Sequence, residues 1–273
     1  MTDTAAHLLK ASGLPLLEAR ALLSHVVGVS REGLVAHPEL AVSRGDANAF
    51  EALVQRRAAG EPLAYLLGEK EFYGRFYAMS ADVLVPRPET ELLVDLALER
   101  LSALRQPRVL DLGTGSGCIA VTLALECPAA QVSATDASAA ALAIARRNGE
   151  RLGARVTWSQ GDWYSALPAG TRYDVIVSNP PYVAPGDPHL AALRFEPAEA
   201  LVAGHDGLAC LEQIVAGAAA RLAPAGWLVV EHGYDQAAAM GALFALQGLS
   251  AETRTDHGGQ PRVTLGRRRQ APV

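Results

Sequence analysis

Apolar residues recur at spacings of three and four through the first 70 residues, as Leu8-Leu9, Leu16-Leu17, Leu22-Leu23, Val26-Val27, then Phe50, Leu53 and Val54. That is the period of helices with one buried face. Gly13 and Pro15 separate the first two helices, Gly28 with Ser30 as N-cap opens a third, Pro38 ends it, and Gly60-Glu61-Pro62 closes a fourth. Residues 1–70 are expected to form a small helical bundle. Residues 71–85 change to aromatic and β-branched types around Gly74, which predicts a hairpin linker. Pro86 and Pro88 stiffen the chain beyond it, and Glu89 to Leu104 resumes a helical period.

From Arg108 onward, short apolar runs alternate with helix-length amphipathic stretches. Strands are expected at 108–113, 131–136, 155–159, 173–178, 226–231, 250–255 and 261–265, with helices near 117–126, 138–152, 206–223 and 235–247. Such alternation predicts an α/β domain over 86–273, a sheet with helices on both faces. Ligands on such sheets sit beyond the carboxyl ends of the strands, so the residues that follow the strands are the ones to inspect for chemistry.

The chain of 273 residues carries 24 Lys+Arg and 29 Asp+Glu, a net charge of −5 spread over both parts, and half its residues are hydrophobic. Nothing in that balance favours a polyanion as partner. Cys118, Cys127 and Cys210 form no C-x-x-C pair and suit a reducing compartment. No run approaches about 18 apolar residues, and Asp3, His7 and Lys10 break the order of a signal peptide. A cytoplasmic protein away from membranes is expected. The seven histidines show no metal-ligand spacing, so no metal is expected.

The first strand runs into Asp111-Leu112-Gly113-Thr114-Gly115-Ser116-Gly117. Glycines there permit a tight turn and let a ligand approach bare backbone. Asp136 ends the next strand, where a carboxylate can accept both hydrogens of a ribose diol. The spacing favours an adenosine-containing cofactor. Gly115-Ser-Gly117-Cys-Ile-Ala120 also satisfies the dinucleotide pattern, which keeps a nicotinamide enzyme in view. A Walker loop is excluded, because the only lysines are Lys10 and Lys70. The bland alternatives are a plain strand-to-helix turn for the glycines and a helix cap for Asp136.

Strand 173–178 leads directly into Asn179-Pro180-Pro181-Tyr182. Each proline fixes its own φ and restricts the residue before it, so the tetrad presents its acceptors rigidly. The Asn179 side-chain oxygen and the Pro180 carbonyl can accept the two N–H bonds of one planar NH₂ group, with the Tyr182 ring against the flat face of the group that bears it. An amide or aryl-amine nitrogen is a poor nucleophile and needs alignment above all; positioning supplies about 7–11 kcal/mol in favourable cases. An adenosine site without a phosphate lysine points to the methyl sulfonium of S-adenosylmethionine as electrophile. A proline turn that merely stops the strand is the alternative.

With these residues in place, the chain resembles the class I S-adenosylmethionine-dependent methyltransferases that act on planar amino nitrogens. Over nearly its whole length it is similar to the peptide-chain release factor glutamine methyltransferases, the PrmC/HemK family. Supporting residues include Glu61-Pro62-Leu63-Ala64-Tyr65-Leu66-Leu67-Gly68, Phe72-Tyr73-Gly74, Arg87-Pro88-Glu89-Thr90-Glu91, Gly161-Asp162-Trp163 and Arg262-Val263-Thr264-Leu265-Gly266. The Arg-Pro-Glu-Thr-Glu run favours the release-factor branch over the related ribosomal-protein methyltransferases.

The resemblance implies a Rossmann-like seven-stranded domain with an antiparallel last strand, a helical N-terminal domain that docks the substrate, and S-adenosylhomocysteine as product. It also implies that Gly113, Thr114, Gly115, Ser116 and Gly117 hold the methionine part of the cofactor, Asp136 the ribose, and that Trp163 flanks the adenine. Asn179, which also borders the cofactor, then joins Pro180, Pro181 and Tyr182 in holding the substrate glutamine. The expected partner is a class I release factor, met by a monomer. A DNA adenine methyltransferase and a non-catalytic protein that keeps the cofactor fold are the alternatives.

Several further residues carry two readings. Glu231-His232 ends a strand at the same sheet edge and reads as a site group or a rim charge. Arg87 and Glu89 read as a site pair or a salt-bridged hinge. Arg267-Arg268-Arg269 reads as a solvated tail, and Gly258-Gly259-Gln260 as a turn before the final strand.

Overall fold

The computed structural model describes residues 3–268; Arg269 of the basic run lies outside the described residues. The chain divides into two compact units, Met1–Lys70 and Glu71–Val273.

The first unit contains α1 (Ala5–Ala11), α2 (Leu16–Val27), α3 (Arg31–Ala36), α4 (Arg44–Ala58) and α5 (Leu63–Leu67). Two short strands, β1 (Asp3–Thr4) and β2 (Ala41–Val42), pair antiparallel. Ser30 and Ser43 cap α3 and α4 by accepting from the Gly33 and Asp46 amides, and α2 ends at left-handed Gly28. Leu9, Leu22, Leu23, Leu34 and Phe50 form the core. A bidentate pair of Arg57 with Glu18, at 2.6 and 3.0 Å, ties α4 to α2. The β1–β2 ladder was not legible in the periodicity, because two-residue strands leave no alternation to read.

β3 (Glu69–Phe72) and β4 (Arg75–Ala78) make a hairpin whose turn residues, Tyr73 and Gly74, both have positive φ. The hairpin thus begins before residue 71, and 79–89 carry no regular element. Tyr73 is held at φ 52° by its amide donating to Glu91 and its hydroxyl to Asp95, both on α6 (Thr90–Leu101).

The large sheet uses β5 (Arg108–Leu112), β6 (Gln131–Asp136), β7 (Val156–Gln160), β8 (Tyr173–Ser178), β9 (Leu222–Glu231), β10 (Glu252–Thr255) and β11 (Pro261–Arg267). Its order is β10-β11-β9-β8-β5-β6-β7, with β11 antiparallel to both neighbours and the other pairs parallel. Helices α7 (Cys118–Glu126), α8 (Ala139–Leu152), α9 (Ala209–Arg221) and α10 (Ala237–Leu246) complete the domain. β8 is central and fully buried at Val175, Ile176 and Val177, as its β-branched run requires.

β9 starts four residues before the expected strand. Leu222 already pairs with Tyr173, and the register then shifts around Ala225, whose φ is positive. α9 starts three residues later than expected, because Asp206 accepts from the Leu208 amide in a turn ahead of it.

The chain runs outward from β5 through β6 to β7 and returns to β8 on the other side of β5. Strand order therefore reverses between β5 and β8, the place where such sheets open a crevice at their carboxyl ends. Ser178 Oγ donates to the Leu112 carbonyl at 2.7 Å, fixing the two strand ends together.

Candidate active site

The glycine loop leaves β5 with the Gly113 and Thr114 amides both donating to the Thr135 carbonyl of β6. Gly113 has φ +69°, and a Cβ there would lie 3.2 Å from the Trp163 ring. Gly117, at φ +80°, faces the opposite way, where a Cβ would lie 3.0 Å from the Ala145 methyl and 3.1 Å from Trp158. One glycine thus makes room for an indole beside the cavity, and the other lets α7 pack close to α8. Asn148 of α8 clamps the loop from behind: Nδ2 donates to the Ser116 and Ala78 carbonyls, and Oδ1 accepts from the Ala78 amide at 2.7 Å.

Asp111 is fully buried beneath the loop and accepts from the Thr114 hydroxyl at 2.6 Å; its Oδ1 has no partner among the described residues. Burial pushes this carboxyl up to about 7, against the Thr114 bond and helped by the Asp136 charge. Asp136 is not the cap of the next helix, a role taken by Ser138. Its two oxygens accept one amide each, from Gly115 and Ser138, both at 2.8 Å. Each keeps a lone pair free, so the carboxylate is fixed and still able to take a diol.

A cavity of about 830 Å³ opens above the loop. Gly113, Thr114, Gly115 and Ser116 line it together with Asp136, Asp162 and Trp163. Asn179 and Pro181 also line it, and further lining comes from Ala81–Leu84, Pro86 and Thr90 and from Pro197, Glu199 and Ala200. The volume suits a nucleoside-sized ligand. The bare glycine backbone, the fixed Asp136 acceptors and the indole fit an adenosine-bearing cofactor, and no lysine lines the cavity to serve a phosphate.

The tetrad leaves the end of β8. Asn179 Nδ2 donates to Thr90 Oγ1 at 3.1 Å, while its Oδ1 is buried with no partner among the described residues. A buried carboxamide oxygen without a donor is costly, and it marks where a ligand N–H belongs. Tyr182 Oη donates to Glu231 Oε1 at 3.3 Å, and the Tyr182 carbonyl accepts from Gln236 Nε2. Burial first, then the Glu231 charge, pushes the phenol well above its ordinary range.

Glu231 is 1% exposed and its Oε2 has no partner among the described residues. Burial raises its carboxyl to about 7, opposed by the Thr90 hydroxyl, the Arg262 charge and the Tyr182 phenol. It is therefore no rim charge. His232 beside it is also buried, bonded to the Gly233 carbonyl and to Thr264.

Gly113 to Ser116, Asp136, Trp163, Asn179 and Pro181 thus meet around one cavity, whereas Gly117 lies against α8, and Pro180 and Tyr182 are outside the lining. Arg87 does not pair with Glu89. It bonds Glu196 at 2.5 Å, and the second oxygen of Glu196 accepts the Val85 amide. Gly258-Gly259-Gln260 is a turn closed on Asp256. Thr90, Asn148 and Glu196 were missed; the Arg-Pro-Glu-Thr run was a signal for the first. Among the described residues no His/Cys/Asp/Glu group could hold a metal ion, and no helix is long and apolar enough to cross a membrane.

This strand order, with a glycine loop bordering the cavity after β5 and an acceptor-bearing turn after β8, is that of a class I methyltransferase. Residues 1–68 match the PrmC N-terminal domain and residues 89–254 the methyltransferase small domain. The release factor glutamine methyltransferase of Bordetella pertussis is 56% identical over 95% of this chain and 97% of its own, and that of Burkholderia pseudomallei is 49% identical over 97% and 96%. The chain belongs to the release factor glutamine methyltransferase family. Among solved structures, a T. thermophilus 16S rRNA methyltransferase in complex with AdoMet and guanosine shares the fold alone, with a TM-score of 0.54 at 22% identity over 74% of this chain and 50% of that one.

Proposed function

We propose that this chain methylates the side-chain amide nitrogen of the glutamine in the Gly-Gly-Gln loop of class I peptide-chain release factors, with S-adenosylmethionine as donor and S-adenosylhomocysteine as product. The observation that carries the reading is the buried, unpartnered Asn179 Oδ1 at the wall of the cofactor cavity. It is an acceptor waiting for one N–H.

When bound, the cofactor supplies a methyl group on a positively charged sulfur. Gly113, Thr114, Gly115 and Ser116 border its amino-acid part, with Gly117 shaping the turn; Asp136 takes the ribose diol and Trp163 lies beside the base. Asn179 Oδ1 and the Pro180 carbonyl accept the two N–H bonds of the substrate amide, and Pro181 and Tyr182 shape the slot that holds it. Fixed in this way, the amide plane turns the face of its nitrogen toward the cavity, which substitutes for strong basicity. No residue of the chain need form a covalent bond to substrate.

The family match over residues 1–68 supports a protein-docking role for the helical unit. A net charge of −5 favours a protein over a nucleic acid as substrate. We place the enzyme in the cytoplasm as a monomer, a reading supported by three free cysteines and the lack, among the described residues, of a helix able to span a membrane. Labelled S-adenosylmethionine offered with a release factor and with DNA tests the substrate. Label on the glutamine peptide is expected, and Asn179→Ala should abolish it while cofactor still binds. Label on DNA, or intact turnover by Asn179→Ala, overturns the reading.

A further inference from the structure

The two ends of an asparagine carboxamide have nearly the same shape and opposite hydrogen-bonding character. Something must therefore decide which end of Asn179 faces the incoming amide. Pro180 restricts the backbone of Asn179 but has no hold on the flip of its side chain.

Thr90 supplies the decision. It opens α6, is 1% exposed, lines the cavity, and takes Asn179 Nδ2 at 3.1 Å. The Thr90 hydroxyl also lowers the pKa of the buried Glu231 carboxyl, the direction expected of a donor to it. With its hydrogen turned that way, the Thr90 oxygen offers lone pairs on its other side, and the NH₂ end of Asn179 is the end that meets them. The oxygen end is thereby turned outward, where it has no partner among the described residues. The same carboxyl accepts from Tyr182 at 3.3 Å, so one buried group is linked to both ends of the tetrad.

We infer that Thr90, backed by Glu231, is a specificity-determining positioning residue: by holding Asn179 oxygen-outward it makes the site accept an NH₂-bearing side chain and reject glutamate, the carboxylate of the same shape. The inference rests on the proposed glutamine substrate. A site with a fixed acceptor offers a carboxylate only repulsion, whereas a flipped Asn179 would offer it a donor. Sites built on hydrogen bonds reject such analogues by several orders of magnitude, and a preference of at least about 100-fold is expected here.

The test is the ratio of two dissociation constants, measured with S-adenosylhomocysteine present: one for a class I release factor with glutamine in its Gly-Gly-Gln loop, one for the same factor carrying glutamate there. Thr90→Val keeps the shape without the hydroxyl and should lower the ratio by at least about 10-fold, partly through tighter binding of the glutamate form. Thr90→Ser, which restores the hydroxyl, should hold the ratio within about 3-fold of the parent. Thr90→Ala is read in the same way as Thr90→Val if that variant does not fold. An unchanged ratio in the variants without a hydroxyl overturns the proposal, even if both affinities fall together, as simple structural damage would make them. So does a Thr90→Ser variant as impaired as Thr90→Val. A parent enzyme that shows no preference for glutamine instead overturns the substrate reading, and this inference with it.

Discussion

Removing Arg87 should harm the protein more than neutralising its partner, and doing both should recover stability. The Glu196 side chain is 3% exposed and that of Arg87 35%. Glu196 holds Arg87 at 2.5 Å with one oxygen and the Val85 amide at 3.0 Å with the other. Arg87→Ala leaves a buried carboxylate with a single amide. Breaking a buried pair costs about 3–5 kcal/mol, and the retained amide places this case near about 3 kcal/mol. Glu196→Gln keeps one acceptor and loses one hydrogen bond, while water still reaches Arg87, so about 1 kcal/mol is expected. In the double variant no charge is buried, and the glutamine oxygen can serve the Val85 amide. Adding Glu196→Gln to Arg87→Ala should therefore raise stability by about 1–2 kcal/mol. Urea unfolding midpoints of the four proteins give the cycle, and a double variant less stable than Arg87→Ala would refute the reasoning. Because Pro86 and Pro197, the chain neighbours of Arg87 and Glu196, both line the cavity, cofactor affinity by calorimetry should fall about 10-fold in Arg87→Ala, equivalent to about 1.4 kcal/mol.

Two further outcomes follow from the site. Glu231 sits among Thr90, Tyr182, Arg262, Glu89 and Cys118, and its folded value of about 7 lies above its ordinary 4.5; the folded state therefore binds the extra proton, and stability falls as pH rises from 4.5 to 7, by on the order of 3 kcal/mol. Asp111 acts in the same direction from 3.8 to about 7, so Glu231→Gln should flatten but not abolish the decline in melting temperature across that window; an unchanged slope argues against the buried charge. Asp136→Asn must turn an NH₂ toward the Gly115 or Ser138 amide, since each carboxylate oxygen accepts one of them, and should weaken cofactor binding by at least about 10-fold, or about 1.4 kcal/mol; calorimetry showing parental affinity would remove Asp136 from the cofactor site.

The glycine loop and the tetrad were legible because their backbones demand particular residue types. Gly113 must lack a Cβ beside Trp163, and the prolines after Asn179 stiffen it wherever they occur. Thr90, Asn148 and Glu196 are ordinary polar residues whose roles come from partners 89, 70 and 109 positions away. Nothing local distinguishes them. Arg87 and Glu89 invited pairing because they are neighbours in the chain, yet the buried acceptor that reaches Arg87 arrives from beyond β8. The alternating strands and helices, and by resemblance the seven strands with an antiparallel last one, were expected, whereas the bulge at Ala225 in β9 depends on Tyr173 pairing with Leu222, a contact that no periodicity records.

The stretch after the tetrad leaves at Val183 and returns at Val202, where the two residues bridge in parallel: the Val183 amide donates to Leu201 and the Ala203 amide to the Val183 carbonyl. A loop shut at its base isolates what lies inside it. Doubling the length of such a loop costs only about 0.6 kcal/mol in closure entropy, so insertions between Gly186 and Arg194 leave Asn179 and Tyr182 where they are. Those between Phe195 and Ala200 displace Glu196 and the cavity wall. In evolutionary terms the segment has a free half, open to variation in length, and a fixed half that must change together with Arg87.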